Sequence, residues 1–139
     1  VLTTSDFENA GVAAAFSYAA NATGNVTCLN LYVDAQTTAT TLQLGLYANG
    51  SGTPGTQLRT CTVTPVTPGA WNVCTITSQA VTSGTTYWLA VLAPTGDIYW
   101  RHTGGTGSYK VQPGLTALPA TWSGTGGYPG SNMSAYAGN

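Results

Sequence analysis

The chain has 139 residues, only 5% of them charged, and a net charge of −1 at pH 7; ordinary globular proteins carry about 25% charged residues. Arg59, Arg101 and Lys110 cannot build the basic patch that phosphates require, so nucleic acid is excluded as a partner. No run approaches the roughly 20 apolar residues of a membrane-crossing helix, so membrane insertion is excluded too.

A chain of this length reads as one domain over 1–139. Its N-terminal "VLTTSDF" is extended in character and could serve as a donated strand. "FENAGVAAAF" allows one or two helical turns at most. From there the pattern is period two. "VTCLNLYV" puts Leu29, Leu31 and Val33 on one face, and "TLQLGLY" does the same with Leu42, Leu44 and Leu46. "ANGSGTPGT" is a loop by its glycines and proline. "LRTCTV", "WNVCTI", "TYWLAVLA", "IYWRH" and a late "NMSAYA" follow. Eight to ten short strands with regular turn signals predict an all-β protein, a two-sheet antiparallel β-sandwich of jelly-roll type. Residues 103–130 are rich in glycine, lack a strand pattern, and predict a long loop bearing aromatics.

Two hairpins can be registered. A tip at Pro65–Gly69 pairs Arg59 with Ile76 and Val63 with Asn72, setting Cys61 opposite Cys74 within disulfide range. Such a bond implies an oxidising compartment. Cys28 is left as a thiol. A tip at Thr95–Gly96 pairs Val91 with Trp100 and Ala93 with Ile98. Tyr87, Leu89, Val91, Ile98 and Trp100 then form the core face. Trp88, Ala90, Leu92, Tyr99 and Arg101 form the opposite one, mixing rings with a cation as a contact surface does.

"LQLGLYANGSGTPGTQL", "AWNVCTI" and "VTSGTTYWLAV", with "ALPATW" and "NMSAYA" near the end, resemble a family of secreted bacterial β-sandwich modules. These occur beside glycoside hydrolases and in cell-surface proteins. The resemblance spans roughly Val26 to Ala137 and implies a two-sheet sandwich with a non-catalytic accessory role. It supplies no site residues, and the paired cysteines and scarcity of charge lie outside it.

His102 is the single histidine, and Asp97 in the same turn would project from the opposite face, so a Ser-His-Asp device is not expected. Asp6 and Glu8 share a strand face at a spacing compatible with glycoside hydrolysis, but the same spacing suits solvated residues near a terminus. The chain is therefore expected to be no enzyme. The residues offer no zinc set, and no cofactor is expected; a structural calcium site would draw on Asp6, Glu8, Asp34 or Asp97. Sequons at Asn21, Asn25, Asn49 and Asn132 are permissive of secretion. Sugars stack their C–H faces on aromatic rings and bond their hydroxyls to planar polar groups. Trp88, Tyr99 and Arg101 form one candidate platform; Trp122 and Tyr128, in "TWSGTGGYPG", form another. Cover by the 103–130 segment is the alternative for Trp88 and Tyr99. Two functions follow. One is an extracellular carbohydrate-binding-like module with a polysaccharide partner. The other is a self-assembling structural subunit of an adhesin, filament or surface layer, whose charge-poor edge strands invite pairing.

Overall fold

The computed structural model describes all 139 residues. Ten antiparallel strands account for its regular structure, and there is no helix. They are β1 (Thr4–Glu8), β2 (Ala13–Ala19), β3 (Gly24–Val33), β4 (Leu42–Asn49), β5 (Pro54–Val63), β6 (Ala70–Val81), β7 (Thr86–Leu92), β8 (Ile98–Gln112), β9 (Gly126–Met133) and β10 (Ala135–Gly138). No helix is long and apolar enough to cross a membrane. The "FENAGVAAAF" stretch is the end of β1, a turn and the start of β2.

Hydrogen bonding runs continuously through β5-β4-β7-β2-β8-β3-β6, with β1 and β9 also on β8 and β10 on β3. The sheet curls into a half-barrel rather than dividing cleanly into two sheets. The 15-residue β8 is the reason. Its first part pairs with β1 and meets β3 at Val33–Trp100, while Tyr109–Gln112 pairs with β2. Between them the register against β9 slips from Gly104 to Ser108, and such a bulge bends a strand. Gly107 lies in that bend, where a Cβ would stand 2.7 Å from the Ser17 carbonyl oxygen. The 103–130 segment is thus largely strand, and only 113–125 connects β8 to β9. Glycine weakens strand propensity, but ladders to β2 and β9 on either edge hold it extended.

Neither expected hairpin forms. β7 is apolar on both faces, as a central strand is, and both its edges are taken by β2 and β4. The chain instead crosses to β8 through Ala93–Asp97. The loop after β3 anchors the crossing, since Thr38 and Ala39 N–H groups donate to the Asp97 carbonyl (both 3.1 Å). β5 pairs with β4 and β6 with β3, so these are outer strands that do not pair with each other. The Cys61–Cys74 disulfide nevertheless forms across them. Next to it, Arg59 donates from Nε to the Thr77 carbonyl (3.0 Å) and from Nη2 to that of Ser78 (3.1 Å). Cys28 is free.

The sheet buries both faces over part of its area. Inside the curl lies the main core, with Phe16, Leu29, Leu31, Leu42, Leu46, Val91 and Trp100 among its members. On the outer side of β2, β7 and β4, a second cluster joins Ala13, Ala15, Tyr47, Trp88, Ala90 and Leu92 to Leu118 and Trp122 of the 113–125 connection.

Candidate functional site

The connection over β7 is tied down as well as packed. The Leu118 N–H donates to Gln43 Oε1 (2.8 Å), and the Tyr47 hydroxyl donates to the Pro119 carbonyl (2.8 Å). Gln57 Nε2 donates to the Tyr47 oxygen (3.0 Å) and to the same Pro119 carbonyl (3.1 Å). Burial pushes the Tyr47 phenol up to about 12, against the opposing effect of the Gln57 hydrogen bond. Beneath this strap Trp88 is 1% exposed, with Nε1 donating to Asn49 Oδ1 (3.0 Å); Trp122, in the strap itself, is 8% exposed and donates to the Gly124 carbonyl (3.0 Å). Trp88 belongs to one candidate platform and Trp122 to the other; both rings are buried, Trp88 clustered with residues of the 103–130 segment offered as its alternative cover. Both rings belong to the buried cluster that also holds Ala13, Ala15 and Ala90, and Trp122 meets Tyr47 edge to face at 6.0 Å.

Tyr99 and Arg101 point away from the main core on β8, as their alternation with Ile98 and Trp100 requires. Tyr99 is half-buried under Phe7, its partner on β1, with ring centroids 5.0 Å apart and planes 19° from parallel. Arg101 forms an ion pair with the buried Asp34 and donates from Nη1 to the Thr3 carbonyl (2.9 Å). Tyr128 is exposed and stacks parallel on Tyr109 at 6.0 Å, separate from Trp122. Trp88 and Trp122 thus come together in the second cluster, whereas Trp88, Tyr99 and Arg101 do not, and neither do Trp122 and Tyr128.

An aromatic group that the sequence reading missed stands on the outer face of β6, β3 and β10. Tyr32 is paired with Trp71, and Asn30 with both Val73 and Tyr136. Trp71 meets Tyr32 edge to face at 5.8 Å and 76°, and Tyr136 at 5.4 Å and 65°. Trp71 is 44% exposed, Tyr136 53% and Val73 60%. The Tyr32 hydroxyl donates to the Gly69 carbonyl (3.1 Å), and Asn30 lies among the rings with Nδ2 3.4 Å from Cys28 Sγ. Because Val33 and Trp100 pair with their side chains inward, Tyr99 and Arg101 share this outer face. The face therefore carries Phe7, Tyr99, Tyr32, Trp71, Val73 and Tyr136, and its Arg101 charge is met by Asp34. The signal was present in "AWNVCTI": placing Asn72, Cys74 and Ile76 inward sends Trp71 and Val73 out.

Four titratable groups, Asp6, Glu8, His102 and Tyr109, gather near β1. The Tyr109 hydroxyl donates to the Glu8 carboxylate. Burial raises the Glu8 carboxyl above its ordinary value, the Tyr109 hydrogen bond opposes this, and neighbouring Asp6 adds to it. Burial and the Glu8 carboxylate both push the Tyr109 phenol up. His102 Nε2 lies 3.9 Å from Asp6 Oδ2, and its Nδ1 lies 3.4 Å from Ser131 Oγ. Those separations exceed good hydrogen-bond geometry and do not make a proton relay. No three His, Cys, Asp or Glu side chains converge as a metal-binding group, and Asp34, one of the carboxylates considered for calcium, is taken by Arg101. Family models, curated proteins and solved structures give no match to this chain.

Proposed function

We propose that this protein is a non-catalytic, extracellular carbohydrate-binding-like module whose binding face is the outer surface of β6, β3 and β10. In this reading the half-barrel is a jelly-roll-like sandwich whose two layers share β8. The observation that carries the proposal is the Tyr32–Trp71–Tyr136 group, in which Trp71 and Tyr136 are exposed and Tyr32 is half-buried, on a face free of unpaired charge. Aromatic faces take the C–H side of a sugar, and open rings of this size without a ligand would be an adhesive patch. The Cys61–Cys74 bond supports secretion, because disulfides persist in oxidising compartments. The edge-to-face rings do not form one flat plane, so a single neutral glycan chain suits them better than a crystalline surface. Retention on a panel of soluble and insoluble neutral polysaccharides tests this. Trp71→Ala should abolish retention and Trp122→Ala should spare it wherever the variant still folds; retention that survives Trp71→Ala and Tyr136→Ala together contradicts the reading.

A second reading rests on Phe7, Trp71, Val73 and Tyr136 being open on that same face. A face with so little charge can pack against another copy without desolvating ions, as a subunit of an adhesin, filament or surface layer would. Sedimentation velocity at rising concentration separates the two readings: ordered assembly abolished by Trp71→Ala favours the subunit, and a persistent monomer favours the module.

A further inference from the structure

The half-barrel is open between the end of β10, the Ala20–Thr23 turn and the start of β7, and the opening leads into a cleft of about 460 Å3. Its floor includes Val26, Leu46 and Leu89, which belong to the main core, and Val81, which packs against it. β10 walls one side of the cleft. Its pairing with β3 ends at Gly138–Cys28, whereas β3 continues to Gly24 against β6. The edge of β3 around Val26 therefore has no strand beside it where the cleft lies. Ala135 and Ala137, too small to fill the space, form the β10 wall.

The polar groups of the lining restrict what fits. No Asp, Glu, Lys, Arg or His side chain lines the cleft. The Tyr18 hydroxyl donates to the Met133 carbonyl (2.6 Å) and accepts from the Met133 N–H (2.9 Å), so it is already satisfied. The Tyr87 hydroxyl accepts from the Thr82 N–H (3.1 Å) and keeps its own proton to give. Asn21, Thr23, Asn25 and Asn139, other polar side chains of the lining, are exposed, whereas Val26, Leu46 and Leu89 are buried. A sugar taken to the floor would leave most of its hydroxyls without partners, and an ion would be stripped of water with no counter-charge. The volume falls within the roughly 300–1,000 Å3 of small-molecule sites, whose linings are mainly apolar with few polar groups. Close-packed interiors rarely keep so large an apolar space open.

We infer that this cleft is a second binding site, for a small uncharged apolar molecule with a single hydrogen-bond acceptor, such as an aliphatic ketone, ester or alcohol, held by the Tyr87 hydroxyl. It opens on the core side of β10, where Ala135 and Ala137 pack, although Tyr136 between them borders both this cleft and the aromatic face.

Fluorescence of the neutral probe N-phenyl-1-naphthylamine, with displacement by 2-nonanone, tests the assignment. Saturable one-to-one binding is expected, displaced by the ketone and not by glucose. Ala137→Phe should weaken it by more than about tenfold. Tyr87→Phe should weaken the ketone and leave the probe little changed, and Trp71→Ala should alter neither. Should Ala137→Phe fail to fold, methyl NMR of the unmodified protein decides, with 2-nonanone shifting the methyl signals of Val26, Leu46, Leu89 and Val81. Unsaturable probe binding, binding lost in Trp71→Ala, or methyl signals that stay still would overturn the inference.

Discussion

Two tryptophans of this chain have opposite surroundings although both lie on strands of alternating pattern. Trp88 is sealed between β7 and the 113–125 connection, whereas Trp71 stands on the outside of β6. Truncating Trp88 to alanine should cost about 3–5 kcal/mol, because it removes a large buried ring and leaves a cavity. Truncating Trp71 should change stability by less than about 1 kcal/mol. Urea unfolding of the two variants checks the contrast, and equal losses would mean that Trp71 is covered. Glu8 makes a separate prediction at this scale. Its carboxyl is raised in the folded state, chiefly by burial, so folding disfavours its ionised form. Its favourable contribution is present below the ordinary glutamate value of 4.5 and is lost as pH climbs through the raised folded value. Glu8→Gln should thus gain in melting temperature relative to the unmodified protein between pH 4 and pH 7, while its amide oxygen still accepts the Tyr109 proton. A difference that stays constant over that range would contradict the assignment.

Among the elements, β8 and the connection that follows it do the most to shape the molecule. The bend at Gly104–Gly107 lets one strand serve both limbs of the curl, and Gly107→Ala would press a methyl group onto the Ser17 carbonyl oxygen. A loss of about 1–3 kcal/mol is expected in thermal melts, and none if the bulge can relax. Gln57 fastens the strap by bonding both the Tyr47 hydroxyl and the Pro119 carbonyl. These elements also mark how far the sequence could be read. Alternation within a run is local, so Leu29, Leu31 and Val33, Leu42 to Leu46, and the inward set of β7 and β8 were legible. Which strand lies beside which was not. Turn chemistry at Thr95–Gly96 suits a hairpin, but only the whole sheet reveals that both edges of β7 are occupied. Cover of Trp88 by the 103–130 segment was one of two readings the sequence left open, but which residues supply it was not legible. Leu118 and Trp122 lie in "ALPATW", which carries no strand or helix periodicity, and only the folded sheet brings them to Ala13, Ala15 and Ala90. The aromatic face was legible but unread, since Asn72, Cys74 and Ile76 share one face of the strand and burying it turns Trp71 outward.

The whole molecule is a curled sheet whose outer strands, β5 and β6, are joined by one covalent bond. A cross-link that closes so short a loop stabilises by about 2–3 kcal/mol, largely by restricting the unfolded chain. The Cys61→Ser, Cys74→Ser double variant should therefore unfold at lower urea while keeping its aromatic face. If glycan retention were lost along with the bond, the seam between β5 and β6 would be part of the binding apparatus. With so few charges elsewhere, one broad face holds most of the open aromatic surface, and the functional account rests on it. The most direct test uses the chain's four tryptophans, whose indole N–H signals can be followed in a nitrogen-15 correlation spectrum while a soluble neutral oligosaccharide is added. The account predicts that the Trp71 signal moves and saturates, while those of Trp88, Trp100 and Trp122 stay in place. A Trp71 signal that stays still while the oligosaccharide binds elsewhere, or no shift with any neutral glycan, would contradict it.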